Sequence, residues 1–333
     1  MRPPEFWNER DGRDSAPMLR LLLSPVSLLV TWLGRRRRKQ AEPLDPGVPV
    51  ICVGNATLGG TGKTPVAIYI LKSLRRLGVN AHGLTRGYRG QLKGPVPVNP
   101  RHTAAEVGDE PLLLARAAPV WVAEARDEGA AAAVSEGADA IVMDDGHQNP
   151  TLAKTLSLLV VDAEVGFGNG CVVPAGPLRE PLEDALARTD AVILMKPDPR
   201  YRIDEELAEQ LEGQTVIAAY LRARSAPPDG KLFAFAGIGR PNKFFDHLRR
   251  MGADVVDERP FADHHAYSDA EVEELFLLAS EYDAALITTE KDHVRLPGGY
   301  RRGVLSLPVE VRFEDELTLQ RLLHPIVQRA ASR

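Results

Sequence analysis

Short apolar runs alternate with longer amphipathic stretches along most of the chain. The runs Val50–Val53, Val79–Leu84, Val120–Ala123, Ala138–Asp145, Leu156–Asp162 and Ala191–Met195 predict buried strands. Between them, Val66–Leu77, Leu112–Ala117 and Gly129–Glu136 predict helices, the first stopped by Gly78. Such alternation predicts an α/β fold, a parallel sheet with helices on both faces. The first unit ends near Tyr220, and the proline-rich, polar Ala223–Lys231 reads as a hinge. The second unit opens with a strand at Leu232–Ile238. The helix Asn242–Met251 follows, with Phe244, Phe245 and Leu248 on one face. A strand segment at Val255–Val256 comes next, then a helix to Ser280 that Ser268 and Glu271 cap reciprocally. Strands are expected at Ala284–Thr289 and, as the last, at Val304–Leu307.

The amino terminus breaks this rhythm. Leu21–Gly34 carries no charge, and the basic block Arg35–Lys39 follows at once. Fourteen uncharged residues fall short of the roughly 20 that cross a bilayer as a helix. Pro25 is expected to bend or interrupt that helix. A basic block after the apolar run is the wrong order for a signal peptide. The segment fits a helix lying in the membrane surface, its basic end on anionic headgroups. A helix packed on the protein's own core is the plainer reading.

Composition adds little to this picture. The 333 residues suffice for two α/β units, and 44% hydrophobic with 26% charged residues is ordinary for a globular protein. A net charge of −5 gives no general case for nucleic-acid binding, and none is expected. Cys52 and Cys171 lie far apart without metal-ligand spacing, as in a reduced compartment.

The densest chemistry is in Pro49–Thr64, PVICVGNATLGGTGKT. A strand, a glycine-rich turn and a helix start place backbone N–H groups around a phosphate. Gly59, Gly60, Thr61, Gly62, Lys63 and Thr64 form that loop, with Lys63 on the outer phosphates and the Thr64 hydroxyl on Mg²⁺. Thr57 stands where the usual pattern has its first glycine. The run Ala138–Asp145 ends in Asp144 and Asp145, which set carboxylates beside Mg²⁺ at the sheet's carboxyl edge. Gln148 continues into the same site.

Other charged positions admit two readings each. Arg86, Tyr88 and Arg89 sit in a glycine-rich loop, either for solubility or for an anion. Asp109 and Glu110 either cap a helix or aim a carboxylate into the site. Arg126 precedes a helix, and prolines flank Arg179 and Glu180. Asp263-His264-His265 holds the only histidine pair, and adjacent histidines are poorly placed to share a metal. Lys196-Pro197-Asp198 lacks the amide residue of a guanine-reading motif, which Met195 replaces.

Taken together, GNATLGGTGKTP, TRGYRG, GDEPLLLA, MDDGHQNP, PAGPLREP, FADHHAY and ITTEKDHVRL resemble the tetraacyldisaccharide 4′-kinase family, the lipid A 4′-kinases, in the family's order. The resemblance covers Pro49–Leu296 and extends to the apolar, basic-ended amino terminus. His147 departs from it, at a position where the family commonly has an aromatic residue.

The resemblance implies a P-loop-containing nucleoside triphosphate hydrolase fold, with two α/β/α units, a short linker and an N-terminal membrane-associating helix. The expected organisation is a membrane segment over 1–45, a P-loop kinase unit over 46–222 and a smaller unit over 223–333 closing the cleft. The implied reaction moves the γ-phosphate of ATP to the 4′-hydroxyl of an acylated glucosamine disaccharide 1-phosphate, the lipid A precursor. ATP and Mg²⁺ are the implied cofactors, and the cytoplasmic face of the inner membrane is the implied location. Asp109 falls at the family's catalytic aspartate and His264 at the histidine assisting it. Asp144 and Asp145 fall on the metal side, and Arg126, Gln148, Arg179 and Glu180 on the nucleotide side. A membrane-associated P-loop switch or partitioning ATPase, and a kinase of a soluble metabolite, are the alternatives.

Overall fold

The computed structural model describes residues 4–8 and 15–331. Residues 1–3 and 9–14 of the expected membrane segment, and 332–333 of the expected second unit, lie outside the described residues. A helix, α1 (Pro17–Gln40), precedes β1 (Val50–Gly54), α2 (Lys63–Arg76), β2 (Ala81–Thr85), β3 (Val96–Pro97), α3 (Ala104–Val107) and α4 (Asp109–Leu114). Then come β4 (Val120–Val122), α5 (Arg126–Ser135), β5 (Ala140–Asp144), β6 (Leu156–Asp162), α6 (Leu182–Leu186), β7 (Ala191–Lys196), α7 (Glu205–Gln210) and β8 (Val216–Ala223). The chain continues through β9 (Lys231–Ala236), α8 (Pro241–Arg250), β10 (Asp254–Pro260), α9 (Asp269–Glu281), β11 (Ala285–Thr289) and α10 (Glu290–Arg295). It closes with β12 (Leu305–Leu307), β13 (Val309–Phe313) and α11 (Glu316–Ala331).

Two sheets result, ordered β13-β8-β7-β6-β1-β5-β2-β4-β3 and β10-β9-β11-β12. The larger is parallel except at its edges, where β13 and β3 run antiparallel to their neighbours. The smaller is parallel throughout. Strands β1, β5 and β6 are buried along their whole length, which is why they read as unbroken apolar runs. The connection after β1 leads towards β2 and that after β6 towards β7, on opposite sides. A crevice therefore opens at the carboxyl end of β1, where open α/β sheets bind ligands.

Four expectations need correction. Val304–Leu307 is not the last strand, and 223–333 is not one unit. After β12 the chain crosses at Pro308 into β13, which pairs with β8, and α11 packs Leu319, Leu323 and Ile326 against the larger sheet's core. The alternating Val309, Val311 and Phe313 carried that signal, masked by the charged residues between them. Helices α2, α4 and α5 begin three residues earlier than their apolar periodicity implied, because their first turns are polar and carry none of that periodicity.

The fourth correction is Pro25, which does not interrupt α1: the helix runs 24 residues through it. The Leu21 carbonyl, which a proline four residues on leaves without a backbone donor, accepts the Ser24 hydroxyl at 2.8 Å.

Leu323 is 3% exposed in the larger core. Leu323→Ala should lower stability by about 2–5 kcal/mol, read as a fall in urea midpoint. An unchanged midpoint would separate α11 from that core.

Candidate active site

The turn between β1 and α2 lies at the crevice. Gly62 adopts φ +87°, a left-handed conformation costly for other residues, and leads straight into α2. Thr57 needs no such freedom. It is stitched in an extended bridge to Leu178, with Leu58 N donating to Pro177 O at 2.8 Å and Arg179 N to Ala56 O at 2.8 Å. Nothing would crowd a Cβ at Gly59 or Gly60, so their backbone is open to a ligand.

Carboxylates and cations meet below this loop. The Thr64 hydroxyl donates to Asp144 Oδ2 at 3.1 Å. Asp145, at φ +54°, turns back to Lys63 Nζ at 3.7 Å and accepts from Arg179 Nη1 at 2.8 Å. Burial pushes the Asp145 carboxyl up, but Lys63, Arg179 and Arg126 together hold it below the usual range. Asp144 goes the other way: burial, then the charge of Glu110, raises it to about 7. Arg126 donates to Ala123 O, and burial lowers its guanidinium to about 10.

Among the described residues no cluster of three or more His, Cys, Asp or Glu is poised to hold a metal. The donor set still suits Mg²⁺, which takes few protein oxygens and keeps water and phosphate ligands. Thr64 and Asp144 supply hard oxygens, and Asp144 Oδ1 is buried without a hydrogen-bond partner.

The smaller sheet's unit forms the facing wall of a cleft of about 2380 Å³. His264 Nδ1 stands 3.0 Å from Asp109 Oδ2, joining residues far apart in sequence. Arg89 Nη1 donates to the carbonyls of Asp263 and His264 at 3.0 and 2.9 Å, and the Tyr88 ring lies edge-on to the imidazole at 5.4 Å. His264 lines the cleft, whereas Asp109 lies behind it, 3% exposed. Burial works to raise the Asp109 carboxyl, yet His264, Lys291 and Arg295 hold it far below the usual range. His265 instead bonds Glu271 at 2.9 Å and packs on Phe261 and Tyr267.

Not every expected site residue converges here. Gln148 and Arg179 line the cleft. Glu180 does not: it is buried between Arg188 at 2.7 Å and Arg38 of α1 at 2.8 Å, and accepts from Gln148 Nε2 at 3.1 Å. The sequence reading also missed the cations that reach across the cleft. Lys291 meets Glu110 at 2.7 Å, Arg295 meets Asp109 at 3.3 Å, and Lys243 meets Asp162 at 2.8 Å. Arg240 pairs with Asp162 as well. The quoted ITTEKDHVRL held two of these, with no spacing cue to say what they face.

With this geometry in place, comparison with known proteins is informative. A family model described as tetraacyldisaccharide-1-P 4′-kinase matches residues 19–328. The chain is 48% identical to a tetraacyldisaccharide 4′-kinase of Hyphomonas neptunium, covering 99% of each chain. It is 50% identical to one of Rhodospirillum centenum, over 98% of this chain and 97% of that one. Among solved structures it resembles LpxK from Aquifex aeolicus in complex with ATP, with a TM-score of 0.74 and 28% identity. That match covers 93% of this chain and 99% of the other.

His147 is fully buried beside this site, its Nε2–H donating to Ala185 O at 3.1 Å. It packs so closely on β1 that a Cβ on Gly54 would come within 2.5 Å of its own. Burial, then Lys154, pushes the ring down to about 4. The unfolded chain takes up this proton near pH 6.5, so stability is full above that pH and lost as pH falls towards 4. Between pH 7 and 4.5 this group should cost about 2 kcal/mol. His147→Phe should show a correspondingly smaller loss in urea titrations at the two pH values; equal losses would refute a neutral buried ring.

Proposed function

The chain belongs to the tetraacyldisaccharide-1-P 4′-kinase family, and from that membership we propose how its own residues carry the reaction. It is an ATP-dependent lipid kinase, transferring the γ-phosphate of ATP to the 4′-hydroxyl of tetraacyldisaccharide 1-phosphate in lipid A biosynthesis. The contact that best supports our assignment of roles is that of Asp109 with His264, 3.0 Å apart across the cleft from Lys63.

Phosphoryl transfer needs alignment and charge neutralisation more than covalent chemistry. The backbone of Gly59, Gly60, Thr61 and Gly62 receives the phosphates, with Lys63 on the outer ones. Thr64 and Asp144 hold Mg²⁺, with Asp145 supporting Lys63 and Arg179. When bound, Mg²⁺ supplies positive charge to the phosphate oxygens as charge builds on them. Arg126 and Arg179 add donors on the cleft floor, and Gln148 fixes Arg179. Glu180 acts at one remove, by tying Gln148 to α1.

The acceptor's 4′-hydroxyl must lose a proton as it attacks, to a group within hydrogen-bond reach. Asp109 and His264 do this as a unit. The ring faces the cleft, and the ionised carboxylate behind it fixes the orientation of Nδ1. A partitioning or switch ATPase would need no such pair, and no feature of the site favours one.

The acceptor is a lipid, and α1 suits a membrane surface. It is long and apolar enough to cross a bilayer by composition, but its polar face is bound to the protein near both ends. Arg20 reaches Cys171, Ser27 donates to Val172 O at 2.7 Å, and Arg38 pairs with Glu180 and Asp184. The opposite face exposes Leu21, Leu22, Leu28 and Trp32. A helix fastened along its length lies in the interface, basic end on anionic lipid. Use of ATP, the nucleotide of the cytoplasm, supports the cytoplasmic face of the inner membrane as the location.

With γ-labelled ATP, label should pass to the lipid disaccharide and to no water-soluble acceptor, and Lys63→Ala should abolish transfer while remaining folded. Turnover at the normal rate in that variant would remove Lys63 from the phosphate site. Deleting residues 1–39 should reduce co-sedimentation with anionic vesicles, and salt should weaken the full-length protein's binding in part. Equal sedimentation of both forms would place the anchor elsewhere.

A further inference from the structure

Arg295 is 6% exposed at the carboxyl end of α10, and its guanidinium touches both units. Nη2 lies 3.0 Å from Asp292 Oδ1, and Nη1 donates to Gly237 O at 2.9 Å and His265 O at 3.2 Å. Nε donates to Lys291 O at 3.0 Å and stands 3.3 Å from Asp109 Oδ2. Asp292 is wholly buried and braced in turn, accepting from Gly237 N at 2.8 Å, Tyr267 OH at 2.7 Å and Thr289 Oγ1 at 2.6 Å. The His264 backbone hangs on the same frame: its N–H donates to Gly237 O at 2.9 Å, with φ at +55°.

We propose that Arg295 is a positioning residue for the Asp109–His264 pair, a role that rests on that pair being the proton acceptor. One rigid planar group sets its charge against the carboxylate of the larger unit and donates to the two carbonyls that frame the His264 loop in the smaller. Asp292 fixes the fork, so it cannot follow either partner if they drift. A lysine offers its donors from a single point and cannot serve Asp109, Asp292 and both carbonyls at once. Misplacing a reacting group by about 1 Å costs on the order of 100-fold in rate. Holding Asp109 against the imidazole is therefore a contribution to turnover, separate from the binding of ATP.

The test is kcat and the KM for ATP at saturating lipid acceptor, with thermal melts, for Arg295→Ala, Arg295→Lys, His264→Ala and the Arg295→Ala/His264→Ala double variant. Arg295→Ala should lose roughly 10- to 100-fold in kcat with an unchanged KM for ATP. Arg295→Lys should melt like the parent yet recover only part of kcat. The double variant should be no slower than His264→Ala alone, because a positioning residue has nothing left to position. Losses that multiply in the double variant, full recovery by lysine, or parental kcat in both Arg295 variants would overturn the role while leaving the pair intact. Parental kcat in His264→Ala would instead overturn the pair, and the Arg295 role with it.

Discussion

A carboxylate buried almost out of water must be paired, and among the described residues Asp109 finds its partners in the other unit. His264, Lys291 and Arg295 all belong to the smaller sheet's unit, while Asp109 sits at the start of α4 in the larger. Unpaired burial of such a charge is strongly unfavourable, so contact between the units stabilises the group that needs it. The cleft's other end repeats the arrangement, with Asp162 of the larger unit between Arg240 and Lys243 of the smaller. Carboxylates on one side and cations on the other give the interface a polarity, reversed only at Arg116 with Glu290 among the pairs described here.

That polarity bears on selectivity between a sugar hydroxyl and water. The Asp109–His264 contact, where we propose the proton acceptor, is complete only while the units touch. Apart, the larger unit would keep the Gly59–Thr64 loop, Asp144 and Asp145 but have no imidazole beside Asp109. Separating the groups in this way couples reaction to an occupied, desolvated cleft, in which fixed charges act more strongly than in water.

Much of this was legible in the chain itself. The strands β1, β5, β6 and β7 are uninterrupted apolar runs because both their faces are covered, and the Gly62-Lys63-Thr64 turn is local chemistry. Asp109 and His264 could be named and paired through resemblance, and tertiary closure brings them within 3.0 Å. Glu180 was misread because its flanking prolines show a rigid loop without showing its direction; it faces Arg38 and Arg188. Arg295 lay within ITTEKDHVRL, but nothing in that motif showed what it faces. A basic residue at the end of a short helix looks solvated until Asp292 and Gly237 fold around it. The return of β13 escaped for a related reason: pairing with β8 is non-local, and an edge strand carries only half an apolar pattern.

The return has a mechanical meaning. The chain passes between the sheets twice, once through the seven residues between β8 and β9 and once through Pro308 alone. Both crossings leave from neighbouring antiparallel strands, and Arg224 N still bonds Pro308 O at 2.9 Å where they part. One tether is slack and the other has no length to give. The one-residue link at Pro308 keeps the smaller unit from sliding or drifting away, much as a pin confines a door. Two residues carried by untethered bodies would have to meet through six rigid-body coordinates. Here the search is reduced to little more than an angle.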